Sequence, residues 1–380
     1  FMRQDYEQLP SLFKRVDLFY HSTITFNDIK DMSDLQRFGE AAIFALNVGD
    51  EREQLRLGEI FLNYSCRLGN GNLLENALMQ HPIVVEGNNQ AGALLSFGYV
   101  HYEIGNWDEA KRCFEGALAA AQAEGKRDEV ANAIGWLGSI ERNRGNWEEA
   151  ERLYRQSLEV RTELGDRSGM ATSWGQLGDI ERNRGNWEEA ERLYRQCLEL
   201  RTELGDRSGM ASTWASLGYI EQCRGNWEEA QRLYGQSLEV KTELGDRSGM
   251  AYSWGVLGNI ERNRGNWEEA QRLYRQSLEV QTELGDRSGM AMVIGCLGEI
   301  EMFRGNFDAA EPLIKDAMTQ LQKLGQTAKV AESYYDLARL ERKRNNTELA
   351  QEHYNTAHQI FQQLGAAKDL EKIEREWESD

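Results

Sequence analysis

Residues Ala171–Met210 read ATSWGQLGDI ERNRGNWEEA ERLYRQCLEL RTELGDRSGM, and this stretch recurs with a period of 40 residues. Its marker, Gly185-Asn186-Trp187, returns at Gly105, Gly145, Gly225 and Gly265, weakens to Gly305-Asn306-Phe307, and fades at Asn345-Asn346-Thr347. A fixed period of this size defines a repeat array. Glycines at Gly165, Gly185 and Gly205 divide the unit into two halves of 20 residues. Each glycine follows a helical pattern and suits the left-handed residue just past a helix end. Each is followed by an N-cap type, Asp166 or Asn186. Asn186 and Glu189 have the spacing of a capping box, and Glu188 and Glu189 favour the positive end of the helix dipole. The spacing therefore predicts helix A over Arg167–Arg184 and helix B over Trp187–Leu204.

Apolar residues agree with that division. Trp174, Leu177, Gly178 and Ile180 mark one face of helix A. Trp187, Ala190, Leu193, Tyr194, Cys197, Leu198 and Leu200 mark one face of helix B. Offsets of three and four are those of amphipathic helices. The small residues Gly178 and Ala190 let the pair approach closely. Trp174-x-x-Leu177-Gly178 followed by Ala190-x-x-x-Tyr194 resembles the tetratricopeptide repeat. The resemblance implies an all-α fold, a right-handed superhelix (α-solenoid) of about eight helix-turn-helix repeats with helix A lining a concave ligand groove. Two positions depart from the family pattern. Glu181 stands where the family carries an aromatic residue, and helix B runs on to Leu204 without the closing proline. The longer unit resembles those of Pins-type adaptors and of the sensor arms of signalling ATPases.

Along the 380 residues, 1–50 are expected to be an N-terminal helical segment and 51–90 a degenerate repeat. Residues 91–370 are expected to hold seven units, and 371–380 the end of a polar C-terminal capping helix, which an array needs to cover its last face. Phe1 ahead of Met2, with the non-repeat start, favours an excerpt of a longer chain.

The net charge of −19 is spread evenly; Ala171–Met210 holds 8 acids and 6 bases. Without a basic stripe, nucleic-acid binding is not expected. The five cysteines (Cys66, Cys113, Cys197, Cys223, Cys296) show no paired spacing, as expected of reduced thiols in a cytoplasmic protein. No apolar run of membrane-spanning length is present, nor a signal-peptide core. Phosphate-loop, dinucleotide, zinc-protease and nucleophile-elbow motifs are absent. His353 and His358 are five apart, a poor spacing for a shared metal. Pairs such as Glu188 with Arg192 and Glu191 with Arg195 are ordinary helix-surface spacing. No catalytic activity, cofactor or metal is expected. Trp147, Trp187, Trp227 and Trp267 occupy one structural slot and are expected to pack between helices.

The central units are near copies, so the chain can be compared with itself. Their differences cluster on one face of helix A: Asn132, Gly135, Trp136 and Ser139 in one unit, Thr172, Gly175, Gln176 and Asp179 in the next. Then come Ser212, Ala215, Ser216 and Tyr219; Tyr252, Gly255, Val256 and Asn259; Met292, Gly295, Cys296 and Glu299; and Glu332, Tyr335, Asp336 and Arg339. The family resemblance places this face in the ligand groove. Two explanations stand side by side: a groove floor diversified for a protein or peptide ligand, and drift on a solvated face. The solvated face of helix B varies less (Arg155, Arg195, Gly235, Arg275), which favours binding. Glycine at Gly135, Gly175, Gly255 and Gly295 costs about 1 kcal/mol each in a helix interior and points to a need for room, for a ligand or for close packing.

A polar ladder of Arg142-Asn143, Arg182-Asn183 and Arg262-Asn263, ending at Arg342, offers peptide-backbone and carboxylate recognition. Arg144, Arg184 and Arg264 are read as solvated residues near the helix dipole. An apolar patch of Tyr252, Val256, Met292, Cys296, Met302 and Phe303, with Tyr219 and Trp136 further back, marks an interaction site if exposed. The expected function is a protein- or peptide-binding scaffold. The alternative is the ligand-sensing arm of a larger signalling protein. Pairing into a homo-oligomer through array ends or groove edges stays open.

Overall fold

The computed structural model describes residues 90–103 and 105–379. The expected segments 1–50 and 51–90, including Cys66, lie outside them apart from Gln90. Fifteen helices are described, in hairpins: α1 (Gln90–Glu103) and α2 (Trp107–Glu124), α3 (Arg127–Asn143) and α4 (Trp147–Leu164), α5 (Arg167–Arg184) and α6 (Trp187–Leu204). Then follow α7 (Arg207–Cys223) and α8 (Trp227–Glu243), α9 (Arg247–Asn263) and α10 (Trp267–Leu284), α11 (Arg287–Phe303) and α12 (Phe307–Lys323), α13 (Thr327–Lys343) and α14 (Thr347–Leu364), and the last helix α15 (Ala367–Ser379). Two compact units divide inside α6, one ending at Cys197 and the other starting at Leu198. α5 and α6 have the limits expected from the glycine punctuation.

The turns explain those limits. Gly165 and Gly185 sit at φ 67° and 83°, a conformation that costs glycine least. Asp166, Asp206, Asp246 and Asp286 each accept from the backbone N–H three residues on, at 2.9 Å, so the expected aspartate caps form. The expected asparagine cap does not. Asn186 turns back and donates through Nδ2 to Glu181 Oε2 at 2.7 Å, as Asn146 does to Glu141. Only Asn106 accepts from its own helix among the described asparagine caps, weakly, from Glu109 N at 3.4 Å.

Glu181, the departure from the family aromatic, is therefore a buried clasp on the A–B turn. Its second oxygen receives Arg184 at 2.6 Å, and Arg184 also reaches Glu151 on the preceding B helix at 2.6 Å. Arg344 repeats this with Glu341 and Glu311, while Arg264 reaches Gln231 and Arg304 reaches Gln271. Arg184 and Arg264, read as solvated helix ends, thus tie their hairpins to the preceding ones within each unit. On the surface of helix B, Glu191 pairs with Arg195 as expected, whereas Arg192 forks Glu189 in place of Glu188, at 2.7 and 2.5 Å.

In the first five hairpins an aromatic ring of helix B lies on the bare backbone of helix A, and in α11–α12 Ile314 takes its place against Gly298. A Cβ on Gly178 would meet Tyr194 at 2.7 Å, and one on Gly258 would meet Tyr274 at 2.6 Å. Trp147, Trp227 and Trp267 pack against the buried clusters around Tyr154, Tyr234 and Tyr274, as expected of the tryptophan slot. At the end of the array α15 sets Ile373, Leu370 and Trp377 against Ala331, Tyr335 and Phe361.

A second buried device lies at the end of helix B. Arg161 donates to Gly169 O at 2.6 Å and to Asn132 Oδ1 at 3.0 Å, while Arg201 reaches Gly209 O at 2.6 Å and Thr213 Oγ1 at 2.9 Å. Lys241 in the same place reaches Ser253 Oγ at 3.4 Å and lies over the Tyr252 ring. Burial lowers the basicity of Arg161 and of Lys241, against the opposing pull of Asp166 and Asp246. Carbonyls at a helix start and hydroxyls thus supply the close hydrogen bonds, with the N-cap aspartate further off, 3.7 Å from Arg201 in the case of Asp206.

Candidate functional site

In the unit ending at Cys197, α3 and α5 bring the expected polar residues together around Asp179. Arg142 Nη1 lies 3.5 Å from Asp179 Oδ2, Arg182 Nη1 lies 3.3 Å from Oδ1, and Tyr194 donates to Oδ1 at 2.6 Å. Asn143 donates to the Tyr102 hydroxyl at 2.9 Å, and Asn183 Oδ1 faces Arg182 at 3.5 Å. Both arginines already share a carboxylate of their own chain. Gln176 holds its Oε1 buried without a hydrogen-bond partner. Trp136 is not a free patch residue. It is stacked on Phe114 at 5.7 Å, with Tyr99 and Tyr102 tilted against it at 5.1 and 5.2 Å.

In the unit starting at Leu198 the same face carries two kinds of surface. Tyr252, Tyr219, Met292 and Phe303 are 55%, 41%, 41% and 37% exposed. Phe303 stacks on Trp267 at 5.0 Å, and the Arg339 guanidinium lies over the Phe303 ring at 5.3 Å. Val256 is half-buried against the Tyr234 and Leu257 cluster. Met302 departs from the expectation. It is 1% exposed, packed with Ala310, Ile314, Leu337 and Leu340. Its own hairpin partner α12 and the following helix α13 cover that side of α11, which the single-helix pattern does not disclose.

Below the aromatic surface lies a charged network. Arg262 pairs with Glu299, and Arg339 reaches Glu299 and Asp336 at 3.4 Å each. Asn259 accepts from the Tyr274 hydroxyl at 2.6 Å and faces Cys296 Sγ at 3.9 Å. Burial works against the charge on Arg262, yet Glu299 together with Tyr274, Cys296 and Asp336 more than offsets it and holds the guanidinium firmly protonated. Burial and the Glu299 carboxylate push the Cys296 thiol up to about 12. Burial, then Glu299, raises Asp336 well above the ordinary carboxylate range, against Arg339 and Arg262. Arg262 is thus spent on Glu299 and does not stand as a ready fork for a ligand carboxylate. Arg342, the expected last rung, donates instead to Trp377 O at 2.8 Å and lies over its ring, inside the α15 contact. Asn263 remains exposed.

Asp336 and Arg339 complete this network but were not among the expected site residues. Their membership in the variable helix-A set was the signal that could have found them. The four glycines also receive an answer. A Cβ at Gly135, Gly175, Gly255 or Gly295 would meet its nearest neighbour at 3.6–3.7 Å. That is ordinary contact, so close packing does not require glycine there. Among the described residues no group of three or more metal-ligating side chains converges, and no helix is long and apolar enough to cross a membrane.

An all-helical array of clasped hairpins, with a variable helix-A face, defines a helical repeat protein. The chain belongs to the tetratricopeptide repeat family, whose model matches residues 89–163, 129–203, 169–243, 209–283 and 289–363. No curated protein sequence matches it. Solved structures share the fold at low identity. One is a signal transduction ATPase with numerous domains, with a tetratricopeptide repeat sensor, from Pyrococcus horikoshii (15% identity, TM-score 0.63, 98% of this chain and 55% of that one). Another is a Rap protein complexed with competence and sporulation factor (13%, TM-score 0.62, 88% and 99%). A third is the Rap conjugation gene regulator of plasmid pLS20 with the Phr* peptide (13%, TM-score 0.60, 88% and 97%).

Proposed function

We propose that the chain is a binding scaffold that takes a protein or peptide on its helix-A face, with no chemistry of its own. One observation carries this reading. Among the described residues, the exposed large apolar side chains fall into two sets: leucines at helix-B ends (Leu164, Leu204, Leu244, Leu324, Leu364), and Tyr219, Tyr252, Met292 and Phe303 on helix A. The first set repeats with the scaffold. The second occurs only where the near-identical units differ, and a contiguous exposed apolar surface marks an interaction site. Asn263 in the same unit, and Gln176 and Asn183 on the helix-A face of the unit ending at Cys197, supply polar groups for a peptide backbone. The arginines Arg142, Arg182 and Arg262 serve as positioning groups, held by Asp179 and Glu299, and not as carboxylate forks. Free cysteines fit a reducing, cytoplasmic setting.

The test is selection of binders from a random peptide library on the full chain, followed by titration against variants. Tyr252→Ser/Phe303→Ser is expected to lose about tenfold or more, and Arg182→Ala/Asn183→Ala to weaken a second class of peptides. Binders that survive both changes would sink the helix-A proposal. A second reading is favoured by the Pyrococcus structure, of which this chain matches 55%: a sensing arm attached to a nucleotide-switched ATPase. A phosphate-binding loop encoded in the same reading frame would decide for it, and its absence against it.

A further inference from the structure

Away from the helix-A face, α2, α3 and α4 enclose a cleft of about 590 Å³. Its floor is apolar: Leu118, Val130, Ile134, Leu137, Leu153 and Val160. Its position in the repeat explains it. Ile134 occupies the place where the next three units carry Trp174, Trp214 and Trp254. Trp174 packs there against its own hairpin cluster. The first cleft is therefore short of one indole.

The rim differs as well. In the following unit Arg155 pairs with Glu151 at 2.8 Å on helix B. One period earlier those positions are Glu115 and Lys111, with the charges exchanged. Lys111 turns instead to Glu141 across the cleft, at 2.7 Å. Arg152 is held by Glu149 at 2.5 Å. Glu115 and Glu159, on opposite walls, make no ion pair among the described residues, and both line the cleft.

An apolar floor with room for a ring, walled by two unpaired carboxylates, selects an apolar group flanked by positive charge. We propose that this cleft is a second docking site, taking an aromatic side chain of a partner protein that is bracketed by lysine or arginine. The ring replaces the indole that Ile134 omits, and the flanking cations meet Glu115 and Glu159. The site is separate from the helix-A face, so it stands or falls independently of the reading above.

Fluorescence anisotropy of dye-labelled pentapeptides on the full chain tests this, with Trp between two lysine pairs as the probe. Two controls replace Trp by Ala, or all lysines by glutamates. The Lys/Trp peptide is expected to bind, and each control to bind at least about tenfold more weakly, since both the buried ring and the charge complement are needed. Ile134→Trp supplies the indole from within, as three other units already do, and is expected to remove binding by about tenfold or more. Glu115→Gln/Glu159→Gln leaves the floor intact and is expected to weaken binding about two- to tenfold, with a flatter salt dependence. Tyr252→Ser/Phe303→Ser is expected to change nothing. The proposal is overturned if the Ala or Glu peptide binds as well as the probe. It is equally overturned if both cleft variants bind like the parent, or if the helix-A variant is the one that abolishes binding.

Discussion

Gly175 and Gly178 lie three residues apart on α5, yet alanine at the two positions is expected to act in opposite directions. A Cβ on Gly178 would stand 2.7, 2.9 and 3.1 Å from three ring atoms of Tyr194. That ring cannot move away cheaply, because it is 2% exposed and its hydroxyl is held by Asp179 at 2.6 Å. Overpacking of this kind costs about 1–3 kcal/mol. Alanine recovers about 1 kcal/mol of helix propensity, which leaves a net loss of up to about 2 kcal/mol. A Cβ on Gly175 would instead meet Cys197 Sγ at 3.6 Å, with no strain. The propensity term then acts alone, a gain of about 0.5–1 kcal/mol. Urea unfolding followed by circular dichroism, with both variants compared in one buffer, measures the difference. Arrays need not unfold in a single step, so the transition that responds to both substitutions is the one to compare. If Gly178→Ala were as stable as Gly175→Ala, close ring-on-backbone packing would not be the reason for the recurring glycine. A stabilising Gly175→Ala that also weakens a selected peptide would tie the missing side chain to the ligand.

Other outcomes follow from the same contacts. Asp336 is raised by burial and by Glu299 against Arg339 and Arg262, with Glu332 adding to the rise, so the folded state binds its proton more tightly than the unfolded one. Stability from this group is complete below the unfolded value of about 3.9 and is lost as pH rises through the raised folded value. Asp336→Asn should therefore flatten the fall in thermal midpoint across that window, and an unchanged profile would refute the assignment. Met302→Ala should cost about 2–5 kcal/mol as a core truncation, whereas Phe303→Ala should cost less and act on binding, as paired melts and titrations will show. Glu181→Ala leaves Asn186 and Arg184 without their clasp and should cost about 1–3 kcal/mol, read from the same unfolding curves. Among the described cysteines, exposed Cys223 should be alkylated first by iodoacetamide at mild alkaline pH. Cys296, its thiol pushed up to about 12, should be spared, as mass mapping of the labelled peptides will show.

Much of the fold was legible because its signals are local. Gly165 and Gly185 announce helix ends, Asp166 announces a start, and both act within four residues of themselves. The asparagine after Gly185 misled because its partner, Glu181, lies five residues back on the other helix, where a capping rule does not look. Met302 misled for a related reason: one helix's pattern names a face, but only α12 and α13 decide that it is covered. The site was legible as a set of positions and not as a set of roles. Arg262 and Glu299 are 37 residues apart, and nothing in either unit alone says that they neutralise each other. Comparing units separates the two kinds of position because scaffold residues keep near-identical neighbours from copy to copy, whereas face positions answer to residues one period away that differ.

The Arg264–Gln231 and Arg304–Gln271 ties have a consequence for how such a gene can change. Excision of residues 251–290 would bring Arg304 opposite Gln231, the same chemistry as the tie it had lost, and Gln231 would meet Glu301 as it now meets Glu261. Recombination between the near-identical segments could therefore shorten or lengthen the chain by whole periods with the ties at the A–B turns re-formed. The helix-A face would register the event at once, since Glu299 would face Gln222 where Arg262 had stood. Copy number is silent to the frame and legible to whatever reads the surface.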